Sequence, residues 1–283
     1  LVHLISLQAI IKDSENLLTL PDIWLRLRRM IDDDHCSADD MATLISRDPS
    51  LSAQLLKLVN SPLYYFPRTI SSISQAITLI GSKQLYALVT AASTGAIIRS
   101  AAGRHIELKS LWKHSLYTAF GTTLLAEEMK QSADTFFLSG LLCNIGTLAV
   151  VTYAPDIALA AVGYHCKNQF PWDREKEVLG FTMAEAGGAL LDAWNLPFDI
   201  VTPVLFQHTP GKSAEYTANC HALHCASRIA LEILQSNGQD TLDYLSVIND
   251  DSLSAIGHPR NTLDALVKQI TARAPEMLDI FTM

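Results

Sequence analysis

Apolar residues recur at helical spacing along nearly the whole chain, and the breaks between those stretches carry residues that start and stop helices. No run alternates apolar and polar residues between hairpin signals, so the pattern predicts an all-α protein. The punctuation is specific. Ser37, with Asp40 three residues later, spells a capping box that opens a helix to about Arg47. Asp48-Pro49 puts a side-chain acceptor before a proline whose missing N–H costs nothing in a first turn, which predicts a helix from Pro49 to about Asn60. Ser61-Pro62-Leu-Tyr-Tyr-Phe-Pro67 cannot continue that helix and reads as a loop. Ser71 or Ser72 then caps Ile73–Ile80, and Gly81 ends it.

A longer helix is expected from about Lys83 to Ser100. Ala101-Ala-Gly-Arg-His105 separates two apolar helical blocks and is the best candidate boundary. Further helices are expected near 108–130, 133–153, 156–167, 173–179, 182–194, 198–207 and 214–236. Ser236-Asn-Gly-Gln-Asp240 reads as a polar linker. The remainder, from Leu242, divides into two or three short amphipathic helices broken at Gly257-His-Pro259 and Pro275. The expected organisation is therefore two-lobed: an N-terminal helical lobe (1–103), a second helical lobe (104–238) and a helical extension (239–283).

Composition narrows the function classes. With 49% hydrophobic and 18% charged residues the chain can bury a sizeable core and is not of a disordered class. A net charge of −8 argues against a general nucleic-acid surface, because phosphate binding needs clustered cations. The basic run Arg26-Leu-Arg28-Arg29 is answered at once by Asp32-Asp33-Asp34. Five cysteines (Cys36, Cys143, Cys166, Cys220, Cys225) lack disulfide-framework spacing, which fits a reduced, cytoplasmic chain. The longest apolar stretch, Ala133 to Ala154, is interrupted by Ser139, Asn144, Thr147 and Thr152 and lacks basic flanks. It reads as a buried core helix rather than a membrane span.

Two groups of motifs carry a resemblance. In the N-terminal half, Ile45-Ser-Arg-Asp48-Pro49, Asn60-Ser61 and Ile80-Gly81 follow one another around apolar helices. In the C-terminal half come Phe137-Leu-x-Gly140-Leu141-Leu142, Ile145-Gly146, Ala184-Glu185-Ala-Gly187 and Trp194-x-Leu196-Pro197. Together they resemble the HD-related output domain (HDOD) family, from about Leu20 to Ala230. That resemblance implies a scaffold shared with metal-dependent HD phosphohydrolases. Physically, Asp48 should cap a helix start, and Asn60 should satisfy carbonyls or turn amides at its end. The loop aromatics Tyr64, Tyr65 and Phe66 form a candidate partner surface.

The resemblance also locates where the metal ligands of an HD enzyme would fall. A histidine is kept at His114. The adjacent His-Asp pair falls on Cys143 and Asn144, and the next histidine on Met183. A histidine pair before a proline falls on Gln207 and His208, and the closing aspartate on Ser227. Every carboxylate of that set is replaced, whereas a hydrolytic Mg²⁺ or Mn²⁺ centre wants oxygen ligands. Two imidazoles and a thiolate are acceptable to zinc in principle, but they come from three helices. The expectation is no metal, no cofactor and no catalytic residue.

Other constellations lead no further. In Cys220-His221-Ala-Leu-His224-Cys225, the pairs Cys220/His224 and His221/Cys225 lie on faces about 100° apart, so one helix cannot close a four-ligand site. There is no Gly-x-Ser-x-Gly elbow, phosphate-binding glycine loop or His-Glu-x-x-His. Asp173-Arg-Glu-Lys-Glu177 reads as a solvated helix face. Gly163-Tyr164-His165 echoes part of a cyclic-dinucleotide phosphodiesterase motif, without the His-Asp pair that such chemistry needs. The resemblance thus implies a non-enzymatic regulatory or adaptor protein of bacterial signal transduction. It would act on a protein partner, with a nucleotide or other small ligand in the vacated pocket as one alternative. A residual HD-type phosphohydrolase or cyclic-dinucleotide phosphodiesterase is the other.

Overall fold

The computed structural model describes residues 6–17, 22–33, 35–60, 66–100, 108–162, 170–235, 246 and 248–282. Every regular element among them is helical. The chain divides into two compact units, one of Leu1–Thr19 with Ser100–Thr271 and one of Leu20–Arg99 with Ala272–Met283.

The smaller unit is built by the caps. In α2 (Asp22–Ile31), Trp24 and Leu27 are buried, and the Trp24 indole donates to Thr90 Oγ1 at 2.5 Å. Ser37 opens α3 (Ala38–Ile45) with a capping box closed by Asp40. Asp48 opens α4 (Pro49–Val59) by accepting from the Leu51 amide at 3.0 Å. Asn60 does more than end that helix. Its amide donates to the carbonyls of Leu56 (2.7 Å) and Ile70 (2.8 Å), while its oxygen accepts from the Ile70 amide (2.7 Å). One side chain thus pins both ends of the intervening segment. Ser72 caps α5 (Ile73–Ile80), and Gly81 ends it at φ 83°, where a side chain would be strained. The helix α6 (Ser82–Ser100) supplies Tyr86, whose ring lies 5.2 Å from that of Trp24. Phe66 is half-buried; Ser61, Tyr64 and Tyr65 lie outside the described residues.

In the larger unit α7 (Leu108–Glu128) is buried on every side from His114 to Ala126, its hydroxyl side chains included. It packs against α8 (Ala133–Leu142) and α14 (Thr217–Gln235). The approach to α8 is close: a Cβ on Gly140 would stand 2.5 Å from Ala119 Cα. A second layer holds α9 (Ile145–Tyr153), α12 (Met183–Ala193) and α13 (Phe198–Phe206). Here Gly146 is required, because an added Cβ would lie 1.9 Å from the Met183 carbonyl oxygen. Around these lie α10 (Pro155–Val162), α11 (Pro171–Leu179) and α15 (Asp250–Ala255). The capping box of Thr182 and Glu185 fixes the start of α12. Trp194 ends α12 and Pro197 precedes α13.

Several expectations change. The single helix expected over 133–153 breaks at Cys143-Asn144, although the apolar stretch stays mostly buried, 83% of its most apolar window lying inside the protein. The first helix, α1 (Leu7–Leu17), packs on α9 and α12 in the larger unit instead of joining an N-terminal lobe over 1–103. The described residues from Ile248 to Thr271 group with that same unit, and those after Thr271 with the smaller one. Pro275 lies inside α16 (Leu263–Thr282): it removes one backbone donor without ending the helix.

Candidate functional site

The break between α8 and α9 creates the site. In a continuous helix, neighbouring side chains diverge by about 100°. The interruption turns Asn144 back toward α7 and leaves Cys143 facing the same space. It also leaves the Cys143 carbonyl without a helical role, and Gln207 Nε2 donates to it at 2.9 Å. The seven positions inferred from the resemblance come from five places in the chain, yet all line one cavity of about 430 Å³. His114 comes from α7, Cys143 and Asn144 from the break, and Met183 from the start of α12. Gln207 and His208 follow α13, and Ser227 lies on α14.

His114 is the centre of this arrangement. Its Nε2 donates to the Ser227 carbonyl at 3.1 Å, with the Ser227 hydroxyl at 3.5 Å, so its Nδ1 carries the lone pair. The Asn144 amide donates to that Nδ1 at 2.8 Å. The same amide nitrogen lies 3.3 Å from the Leu111 carbonyl and 3.0 Å from Ser115 Oγ, and a carbonyl can only accept, which fixes the amide's orientation. Burial holds the His114 pKa down at about 4, the Arg228 cation helping and the bond to Ser227 opposing. Cys143 Sγ lies 4.0 Å from the same Nδ1, and burial pushes its thiol up to about 12. Both groups are neutral at physiological pH.

The cavity lining also holds residues that the sequence pattern does not single out. Arg228, on α14 beside Ser227, is 1% exposed. Its Nη2 donates to His208 Nδ1 at 2.6 Å and lies 3.5 Å from the Gln207 carbonyl. Its guanidinium rests 4.0 Å above the Trp172 ring, and His208 stacks on Trp172 at 4.6 Å. Phe170 stacks on Trp172 at 4.7 Å. Burial and the Arg228 charge hold the His208 pKa well below its ordinary value.

Glu175 overturns the reading of Asp173-Arg-Glu-Lys-Glu177 as a wholly solvated face. It is 7% exposed, lines the cavity and accepts from the Met183 amide at 2.7 Å, at the start of α12. Burial raises its pKa to about 7, against the opposing Met183 bond and Arg228 charge. A carboxylate is therefore present after all, from a helix outside the inferred ligand set. The Cys220 cluster packs as a core. Cys220 and Cys225 are fully buried, His221 bonds Ser252 Oγ at 2.9 Å, and His224 donates to the Gln207 carbonyl at 2.7 Å. Gly163, Tyr164, His165 and Cys166 lie outside the described residues.

The HDOD domain profile matches residues 17–210, more than two thirds of the chain. The chain belongs to the HDOD family. The HDOD fold is shared with an HDOD domain protein of unknown function from Geobacter sulfurreducens (TM-score 0.77, 20% identity, 98% of this chain and 99% of that one). It is likewise shared with a protein from Shewanella amazonensis proposed to be a phosphohydrolase (TM-score 0.76, 22% identity, 96% and 98%). A proposed signal transduction protein from Marinobacter aquaeolei is similar over all of this chain and 68% of its own (TM-score 0.73, 16% identity). An uncharacterised protein of Treponema pallidum is 29% identical over 206 residues; the match spans 70% of this chain and 39% of that protein.

A divalent metal is what the wider HD scaffold implies, and the HDOD site here does not fit one. The lone pairs of both imidazoles are engaged, by Asn144 on His114 and by Arg228 on His208. Cys143 offers a buried thiol 4.0 Å from the same His114 Nδ1, which already accepts from Asn144. Among the described residues no group of three or more His, Cys, Asp or Glu side chains is arranged to hold an ion. A buried guanidinium in the cavity wall adds a fixed positive charge that repels a second cation.

Proposed function

We propose that this HDOD protein is a non-enzymatic regulatory or adaptor module of bacterial signal transduction, acting in the cytoplasm through protein or ligand binding. The observation that carries the reading is the double capping of His114 Nδ1 by Asn144 and of His208 Nδ1 by Arg228. A hydrolytic centre needs an ion to lower the pKa of an attacking water and to polarise a phosphoryl oxygen. Each imidazole already accepts at Nδ1 from a neighbouring side chain, which leaves neither lone pair for an ion. One structural relative is described as a proposed phosphohydrolase and another as a proposed signal transduction protein, and the donor chemistry favours the second class.

Elemental analysis of protein purified without chelator, then dialysed against Mn²⁺ or Zn²⁺, tests this. The expected result is well below one equivalent of metal and no hydrolysis of nucleotides or cyclic dinucleotides. Stoichiometric metal together with turnover would overturn it. A pull-down from the native cell would then identify the protein partner. A second reading, a ligand-responsive sensor, is favoured by the cavity of about 430 Å³, within the usual range of about 300–1,000 Å³ for small-molecule sites.

A further inference from the structure

We propose that the cavity beside the α8–α9 break binds an uncharged amide, a compound that offers N–H donors next to a carbonyl on an apolar body. The inference rests on the ligand-responsive reading above and names the chemistry of its ligand.

The hydrogen-bonding capacity left over on the cavity wall is mostly of one kind. Gln207 gives its Nε2 to the carbonyls of Cys143 (2.9 Å) and Val204 (3.1 Å), which turns its Oε1 the other way. Asn144 gives its Nδ2 to Leu111, His114 and Ser115, with the same consequence for its Oδ1. Glu175 accepts from the Met183 amide through Oε2 alone. Among the described residues these three remaining oxygens have no donor, and they keep accessible surface in a cavity that all three side chains line. Glu175 is 7% exposed and Gln207 3%, so a donor has to reach them from inside the cavity. The three gather at the break: Gln207 bonds the Cys143 carbonyl, Asn144 is the next residue, and the Met183 that Glu175 holds packs against Gly146.

His208 adds a donor. It accepts from Arg228 at Nδ1, which puts the proton of the neutral ring on Nε2, and that N–H has no acceptor among the described residues. An amide complements this set, its N–H groups facing the oxygens and its carbonyl taking the imidazole N–H. Leu111, Val162, Leu231 and Leu234 line the same cavity and suit an apolar body.

Charge selects the neutral member of the class. A cation would meet the Arg228 guanidinium and the Lys113 ammonium, which line the same cavity. An anion would set its own acceptors against three oxygens, one of which becomes charged as Glu175 ionises. Arg228 does not relieve this by bonding, because its Nη2 is given to His208 and lies against the Gln207 carbonyl.

The test uses the full chain and three probes of one shape, benzamide, benzoate and benzamidine, read by calorimetry and thermal shift at pH 7.5. One-to-one binding of benzamide is expected, about tenfold or more tighter than either charged isostere. Glu175→Gln keeps an acceptor for the Met183 amide and turns an NH₂ group into the cavity, so benzamide should bind about tenfold more weakly while the fold is kept. His208→Phe removes the Nε2–H and should weaken it similarly; if that variant fails to fold by circular dichroism, Glu175→Gln decides alone. Absence of benzamide binding, equal or tighter binding of benzoate or benzamidine, or unchanged binding in Glu175→Gln each overturns the proposal. Metal content is measured on the same samples, so failure of the amide class without metal leaves the non-enzymatic reading standing. Stoichiometric metal with turnover removes both.

Discussion

The amide nitrogen of Asn144 lies 2.8 Å from Nδ1 of His114, and it donates there at the point where the apolar helix of 133–153 breaks. An aspartate has no hydrogen to offer at this position. Its carboxylate would face the Leu111 carbonyl and the His114 lone pair together. Asn144→Asp should therefore destabilise the fold by about 2–4 kcal/mol, the cost of buried acceptors without donors. It should also draw a proton onto Nδ1 and raise the His114 pKa, since a neighbouring carboxylate favours imidazolium. Urea denaturation reads the first effect and histidine NMR titration the second. Unchanged stability and an unchanged His114 titration would refute the donor role.

Glu175 and His114 give stability opposite dependences on pH. An acid raised to about 7 from 4.5 binds its proton more tightly when folded, so stability is full below about pH 4.5 and falls as pH rises toward 7. A histidine lowered from 6.5 to about 4 has the reverse sign: its contribution is full above pH 6.5 and is lost as pH falls toward 4. His208 acts in the same direction as His114. Glu175→Gln keeps an acceptor for the Met183 amide and removes the acid. At pH 8 the variant should be more stable than the parent by up to about 3 kcal/mol. Between pH 4.5 and 6.5 its stability should climb more steeply than the parent's. Parallel curves of denaturation free energy against pH for the two proteins would contradict this assignment.

Gly146→Ala tests how closely α9 and α12 must approach. The added methyl would lie 1.9 Å from a backbone oxygen and 2.4 Å from the Gly187 nitrogen, which no rotamer change relieves. A loss of at least about 3 kcal/mol is expected, at the upper end of overpacking costs. Thermal melting gives the measure, and a shift of only a degree or two would show that the helices separate readily.

Asn60→Ala removes three hydrogen bonds at once, to Leu56, and to both the carbonyl and the amide of Ile70. The expected cost is about 2–3 kcal/mol, with the Ile70 groups left unsatisfied. Hydrogen exchange should show the Ile70 amide losing protection before the amides of α4 do. Equal protection in variant and parent would mean that water replaces the asparagine without cost.

Local chemistry is the part of this fold that a sequence makes visible. Ser37 with Asp40, Asp48 with Pro49, and Ser72 each carry their capping bond within three or four residues, and the helices begin there. The break at Cys143-Asn144 is different. Nothing in the apolar run interrupts helical spacing, and the break depends on bonds to Leu111, Ser115 and Gln207, distant in sequence. Glu175 sits in a run of mixed charge whose other members are mostly exposed, and only its partner Met183 marks it as buried. The position of α1 depends on surfaces of α9 and α12 that form well over a hundred residues later. Arg228 did carry a signal: a lone cation within Cys225-Ala-Ser-Arg-Ile-Ala230 is costly to bury unless it has work to do.

The guanidinium above Trp172 has a consequence for the living cell. An ion recruited from solution can be chelated, exchanged for a competitor or lost when its supply falls. A positive charge carried on α14 is synthesised with the chain and keeps one charge state across the physiological pH range. The positive charge of this pocket is therefore inherited rather than acquired, and its supply does not vary with the supply of metal.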